Sequence, residues 1–417
     1  MNPYRIKLVR FDGGERFPVL CLQQDGMPVH SANLWVLTEL RTANLSTSTL
    51  QQALRSLMVL FIVFDELKID LSARLRDGQF LTVGDIEAIV GACKLPITAG
   101  DRKKIGNGKF VSPWSTSGFS TPKIHPGTIA IRLLYIARYL DWIATDHLLK
   151  TGAGNPHFSG VEKLRELVST AIKARIPSVQ RLSNVTPREG LTEQMVSLLQ
   201  QVVAPEFEHN PWSHEFVRQR NYLMIRWLLS LGVRRGELLG VKISDINFQT
   251  NEVLIARRAD DPADPRLRQP NAKTSGRLLA LDAELVALTR AYVMSIRRNV
   301  TGSRKHEYLW VAGGSGKPLS LAALNKVFIT LRQHCPELPE NICPHLLRHT
   351  WNDIFSEAID RSDVSPTMEQ KLRSRLMGWS ETSGMAIVYN QRHIKKKATA
   401  VSLQMQKQLR VEAPSDD

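Results

Sequence analysis

His345-Leu346-Leu347-Arg348-His349, set inside Pro344 to Thr350, is the stretch from which the rest of this chain is best read. At helical spacing, positions 345, 348 and 349 share one face. An imidazole and a guanidinium are then aimed together at one anion while Leu346 and Leu347 pack inward. Cations gathered on a phosphate need a nucleophile beside it. Of the seven tyrosines, Tyr389 alone lies beyond this motif, closing Gly378-Trp379-Ser380-Glu381-Thr382-Ser383-Gly384-Met385-Ala386-Ile387-Val388-Tyr389, a stretch with no other strong candidate. The pairing points to DNA strand transfer through phosphotyrosine.

The bulk properties agree with a polyanionic partner. Fifty-five Lys and Arg against 40 Asp and Glu leave a formal charge of +15. Neutralising phosphates releases condensed counterions, and the field speeds encounter. Charge alone does not decide this, since many proteins are basic without binding nucleic acid. At 417 residues the chain has room for two or three domains, each with a core of its own.

Cys21, Cys93, Cys335 and Cys343 are scattered, with no Cys-x-x-Cys pair, which fits a reducing cytosol and small buried thiols. Cys343 stands two residues before His345, but no second ligand pair accompanies it, so neither a metal nor another cofactor is expected. The longest apolar run, residues 57–64, is too short to span a bilayer, and no signal-peptide segment opens the chain. A cytoplasmic protein without membrane contact is the expectation.

Along the chain, residues 1–30 read as a small β-rich arm, because Gly13-Gly14 and Asp25-Gly26 punctuate alternating apolar positions. Helical periodicity follows over residues 31–180, with helices predicted over 45–67, 83–93, 128–149 and 162–174. A Gly, Ser and Pro-rich interruption over 106–127, preceded by Arg102-Lys103-Lys104, predicts a loop. Pro187 and Gly190 mark a linker over 181–191. A second unit, 192–397, combines helices over 221–231, 284–297, 321–334, 344–358 and 366–377 with strands over 251–257 and 277–281. Residues 398–417 form an amphipathic tail. The fold class is mainly α, with one small β-sheet in the second unit.

Tyrosine cleavage of a phosphodiester needs cations on the non-bridging oxygens, a proton path for the phenol and a proton donor for the leaving 5′ oxygen. Arginine suits the first task, since its planar fork keeps its charge and holds two oxygens at once. Histidine suits the second. A lysine can supply the third.

With those requirements met in order, residues 220–395 resemble the tyrosine recombinase and phage integrase family. The resemblance rests on Gly232-Val233-Arg234-Arg235-Gly236-Glu237-Leu238, Lys273-Thr274-Ser275-Gly276-Arg277, Pro344 to Thr350, and Gly378-Trp379 with Tyr389. It implies a catalytic fold of that family, preceded by a helical core-binding domain that closes on the other face of a double-stranded DNA. It places Arg234 and Arg348 on the scissile phosphate and makes Tyr389 the nucleophile. Lys273 matches the lysine that protonates the leaving hydroxyl, His345 the residue that assists proton transfer, and Glu237 an acidic position that steadies the pocket. Trp379 stands where most relatives carry histidine, as in the Cre-like variant. Indole cannot act as acid or base, so His345 and Lys273 carry the proton traffic.

Some assignments have plain structural alternatives. Arg235 competes with Arg234 for the phosphate, although Arg234 fits the Gly-x-Arg register, and Arg235 is otherwise a DNA-contacting cation. His349 reads as a packing or capping residue. Arg102, Lys103 and Lys104 are either phosphate contacts or a solvated face. Residues 360–366 look like an enlarged turn. In relatives the segment after the tyrosine packs on a neighbouring subunit, which implies a homo-oligomer, a tetrameric synapse on DNA; a helix folding back in cis is the alternative. The implied activity is site-specific recombination without metal or ATP, with a non-catalytic DNA-binding regulator and a type IB topoisomerase as rivals.

Overall fold

A computed structural model describes residues 2–97, 124–178, 190–270, 275–362, 364–380, 383 and 385–408, with backbone alone for 385–396. The chain divides into two compact units, one built from Met1–Phe11 and Arg16–Arg181, the other from Asp12–Glu15 and Leu182–Asp417.

The first unit opens with an antiparallel hairpin, β1 (Tyr4–Arg10) and β2 (Arg16–Leu22), in register from Tyr4 opposite Leu22 to Arg10 opposite Arg16. This hairpin is no separate arm. Tyr4, Phe17 and Leu20 are buried in the same core as the helices that follow, and Tyr4 donates its hydroxyl hydrogen to Asp65 at 2.8 Å. Alternation in β1 and β2 shows that one face is covered, but only packing reveals what covers it. The side chain of Asn33 staples β2 to α1 (His30–Trp35), accepting from Leu20 N at 2.8 Å and donating to Leu20 O at 2.9 Å.

α2 (Thr47–Leu67) runs through the middle of this core. By length and composition it could cross a membrane, yet 11 of its residues are buried inside the unit, as in the core helix of a folded domain. α3 (Leu71–Arg76) and α4 (Val83–Cys93) follow, the latter started by a reciprocal Thr82–Asp85 capping box. α5 (Pro126–Thr151) and α6 (Phe158–Lys173) complete the layer. The expected interruption ends one residue before Pro126, because proline at a first helical position has no intrahelical N–H bond to lose. Residues 106–123 of that interruption lie outside the described residues, as do Arg102, Lys103 and Lys104.

The second unit starts with α7 (Glu193–Val203), capped by Thr192, and α8 (Glu215–Leu231). Part of the expected linker is anchored within it. Gly190 N donates to Asp353 at 3.0 Å and Leu191 N to Thr350 at 2.8 Å; a Cβ at 190 would sit 2.6 Å from Thr350 Cα. α9 (Arg235–Gly240) leads into a sheet of order β3-β4-β5, all antiparallel: β3 (Ile246–Asn247), β4 (Glu252–Ile255) and β5 (Arg277–Ala280). The two-residue β3 was not expected, since a pair of residues carries no periodicity.

The long β4–β5 connection folds back on an ion-pair network. Arg266 is held by Asp264 at 2.8 Å and lies 4.4 Å from the Tyr308 ring centroid, while Asp245 pairs with Arg258. α10 (Ala283–Ala291) continues through a π-helical turn, Tyr292–Ile296, which the predicted helix over 284–297 did not distinguish. The remaining helices are α11 (Leu321–His334), α12 (Pro344–Asp360), α13 (Pro366–Met377) and α14 (Met385–Gln408). An aromatic centre holds the core: Trp227 and Trp310 meet edge to face at 5.6 Å, with Trp310 Nε1 donating to Leu238 O at 2.9 Å.

α14 runs unbroken across residue 398, where the tail was expected to begin. No glycine or proline lies between 385 and 408 to stop it.

Candidate active site

Two short breaks between helices make the site. α8 ends at Gly232, whose φ of +58° is left-handed, and the chain turns through Val233 so that Arg234 becomes the N-cap of α9. α13 ends likewise at Gly378, φ +68°, delivering Trp379. α12 supplies Arg348 and the two histidines.

The centre of the arrangement is Glu237, whose side chain has no exposed surface. One carboxylate oxygen accepts from the Arg234 backbone N–H at 2.8 Å, closing the first turn of α9. Arg277 grips both oxygens, with Nη2 2.9 Å from Oε2 and Nη1 3.2 Å from Oε1. Arg234 Nη1 stands 3.4 Å from Oε1 and Arg348 Nη1 3.9 Å from Oε2. Among the described residues, three guanidinium groups thus surround one carboxylate, a local excess of two positive charges. Such an excess suits an anion of low charge, and Arg234, with 28% of its side chain exposed, is the member that reaches outward.

Arg348 is fully buried. It donates to Gly232 O at 2.7 Å and Met377 O at 3.3 Å, carbonyls at the C-terminal ends of α8 and α13. The negative ends of both helix dipoles therefore stabilise its charge. Its Cζ lies 5.5 Å from the Trp379 ring centroid, so the indole presents its face to the guanidinium. His345 is exposed, and its Nε2 lies 3.2 Å from Nε2 of His349, rings at 78°. One ring donates and the other accepts. His349, expected to cap or pack, hydrogen-bonds its neighbour on the same helical face.

Arg234, Glu237, Arg348 and Trp379 thus come together from segments up to 145 residues apart in sequence. Arg235 points elsewhere, reaching Asn325 at 3.4 Å. Lys273 lies outside the described residues. Tyr389 is on α14, and its side chain lies outside them too. Arg277 is the residue that sequence reasoning overlooked. The signal was available: β5 buries Arg277 and Leu279 on one side and exposes Leu278 and Ala280 on the other, and an inward arginine demands a carboxylate. Among the described residues, no group of three or more His, Cys, Asp or Glu is placed to hold a metal ion.

Gly232 carries a direct test. A Cβ there would lie 2.7 Å from the Trp351 ring, on a backbone that side chains rarely adopt. Gly232→Ala is expected to cost about 2–4 kcal/mol in urea unfolding, from left-handed strain plus overlap, and to lower activity by displacing the Arg348 acceptor.

Residues 198–394 match the model of the phage integrase family. Similar solved structures include XerA recombinase, 18% identical, covering 64% of this chain and 82% of that one with a TM-score of 0.37. The Tn1549 transposon integrase in complex with transposon right end DNA is 16% identical, over 64% and 89%, with a TM-score of 0.38. XerH site-specific recombinase bound to palindromic difH substrate, in a post-cleavage complex, is 15% identical, over 67% and 79%, with a TM-score of 0.43. No curated protein matches the chain.

Proposed function

Because residues 198–394 belong to the phage integrase family, we propose that this chain is a site-specific DNA recombinase acting through a 3′-phosphotyrosyl intermediate. The observation that carries the proposal is the meeting of Arg234 and Arg348 at Glu237, at 3.4 and 3.9 Å. Two guanidinium groups so placed hold the non-bridging oxygens of one phosphate and stabilise the charge that grows on them in a pentavalent transition state.

In the proposed sequence, the Tyr389 phenol oxygen attacks phosphorus and its proton leaves by way of His345. The P–O5′ bond breaks, and the departing 5′ oxygen takes a proton from Lys273. Attack by a 5′ hydroxyl of another strand reverses these events and frees the tyrosine. Bond energy is conserved throughout, so no nucleotide cofactor is consumed. Trp379 supports Arg348 through its ring face, a role in keeping with a residue that neither gives nor takes a proton.

Double-stranded DNA is the proposed partner, with Arg102, Lys103, Lys104 and Arg235 as backbone contacts, in the cytoplasm. α14 exposes Val401, Leu403 and Met405, 55%, 52% and 57% accessible, which supports association of copies on DNA into a tetrameric synapse.

The test is a nicked suicide duplex carrying the DNA site that the chain recognises. The native chain is expected to form a denaturant-resistant covalent adduct, undiminished by excess chelator. Loss of cleavage on metal stripping would instead identify a metal-dependent nuclease. Binding without any adduct would identify a DNA-binding regulator built on the same fold.

A further inference from the structure

The three arginines around Glu237 are not equivalent. Arg277 has 5% of its side chain exposed and directs its whole guanidinium inward: Nη1 and Nη2 to the two carboxylate oxygens, and Nε to Leu376 O at 2.6 Å. Arg234 and Arg348 make longer contacts with the same carboxylate, 3.4 and 3.9 Å. Arg277 thus spends its guanidinium on the Glu237 carboxylate and the Leu376 carbonyl, and it makes the shortest guanidinium contact with the acid at the centre of the pocket.

We infer that Arg277 is a positioning residue which occupies both oxygens of Glu237 so that the charges of Arg234 and Arg348 stay available to the scissile phosphate. A buried carboxylate takes whatever cation is nearest, since it is costly to leave unpaired. Without Arg277, the nearest cations among the described residues are Arg234 and Arg348, the two proposed phosphate ligands. Glu237 would draw Arg234 in from 3.4 Å, and the excess of positive charge would fall from two to one. Arg277 also fixes the floor of the site. Its bond to Leu376 O, together with Ser275 N donating to Gly378 O at 3.3 Å, ties the start of β5 to the end of α13, next to Trp379 and the Met377 carbonyl that Arg348 uses.

This inference rests on the recombinase reading for its activity readout, and a second readout separates the two. Arg277→Met is expected to slow adduct formation on the suicide duplex by about 100-fold, while overall DNA affinity, dominated by other phosphate contacts, stays within about threefold. The deciding variant is the double change Glu237→Gln with Arg277→Met. A neutral amide has no charge with which to capture Arg234, so the double variant is expected to react about tenfold faster than Arg277→Met alone. A residue that merely braces the fold would make the double variant no better than the single one, and that result overturns the inference. Unfolding midpoints are measured on each variant. If Arg277→Met does not fold, Arg277→Lys keeps the charge with one nitrogen for three acceptors, and the same rescue by Glu237→Gln is required of it. If the native chain forms no adduct, calorimetric binding of inorganic phosphate replaces the rate. It is expected to weaken about tenfold in the single variant and recover in the double one, and equal affinity in all three proteins sinks the proposal.

Discussion

A Tyr389→Phe chain is expected to form no covalent adduct on a suicide duplex while binding the same DNA as the native protein does, within about twofold. The reasoning is chemical. Phenylalanine keeps the ring and the helical preference of α14, and it removes only the oxygen that, in the proposed reaction, makes the new bond to phosphorus. Ser380, Thr382 and Ser383 stand in the same stretch. Their aliphatic hydroxyls are far harder to deprotonate than a phenol, so they do not substitute for it. The loss of strand cleavage should therefore be about 10⁴-fold or more, to the limit of detection. Peptide mapping of the native adduct offers the independent check. A labelled nucleotide found on any residue other than Tyr389 would end the assignment, as would an adduct surviving in the phenylalanine variant.

Arg348→Ala is the second large effect, and it should fall on stability and activity together. The guanidinium is buried without any exposed surface, and its removal leaves Gly232 O and Met377 O without this donor at two helix ends. It also deprives the Trp379 face of its cation. Taking one partner out of a buried charged cluster costs about 3–5 kcal/mol, so the urea midpoint should drop with an unchanged slope. Activity should fall by about 10³-fold from the lost charge on the phosphate alone. Arg348→Lys separates the two contributions. It keeps a positive charge against Glu237 and recovers part of the stability, but one ammonium cannot span both carbonyls and grip two phosphate oxygens. Unchanged stability in Arg348→Ala would show that the two helix ends do not depend on it.

Much of the helical framework was legible beforehand, for identifiable reasons. α4, α11 and α13 begin and end where predicted, because Thr82, Ser320 and Ser365 are side-chain caps and each body repeats its apolar residues at helical spacing. The hairpin strands were visible as alternation, and β5 as a short apolar run beyond a stretch too rich in proline and aspartate to continue a sheet. The π-helical turn at Tyr292–Ile296 was not, since widening one turn leaves the apolar pattern nearly intact. The continuity of β1 and β2 with the helical core is not legible in the sequence, because a half-buried strand does not specify the element that covers it.

The candidate site divides along the same line. Residue type and order pointed to His345, Arg348 and Tyr389, since the chemistry of phosphoryl transfer admits few side chains, and the family resemblance added Arg234, Lys273, Glu237 and Trp379. Tertiary structure alone decided which charges neutralise which. That Glu237 faces three arginines, that Arg277 is the guanidinium bound most tightly to it, and that Arg348 rests on the carbonyls of two helix ends are facts of distance between segments far apart in sequence. Electrostatic partnership depends on separation and burial in three dimensions, and a linear pattern records neither.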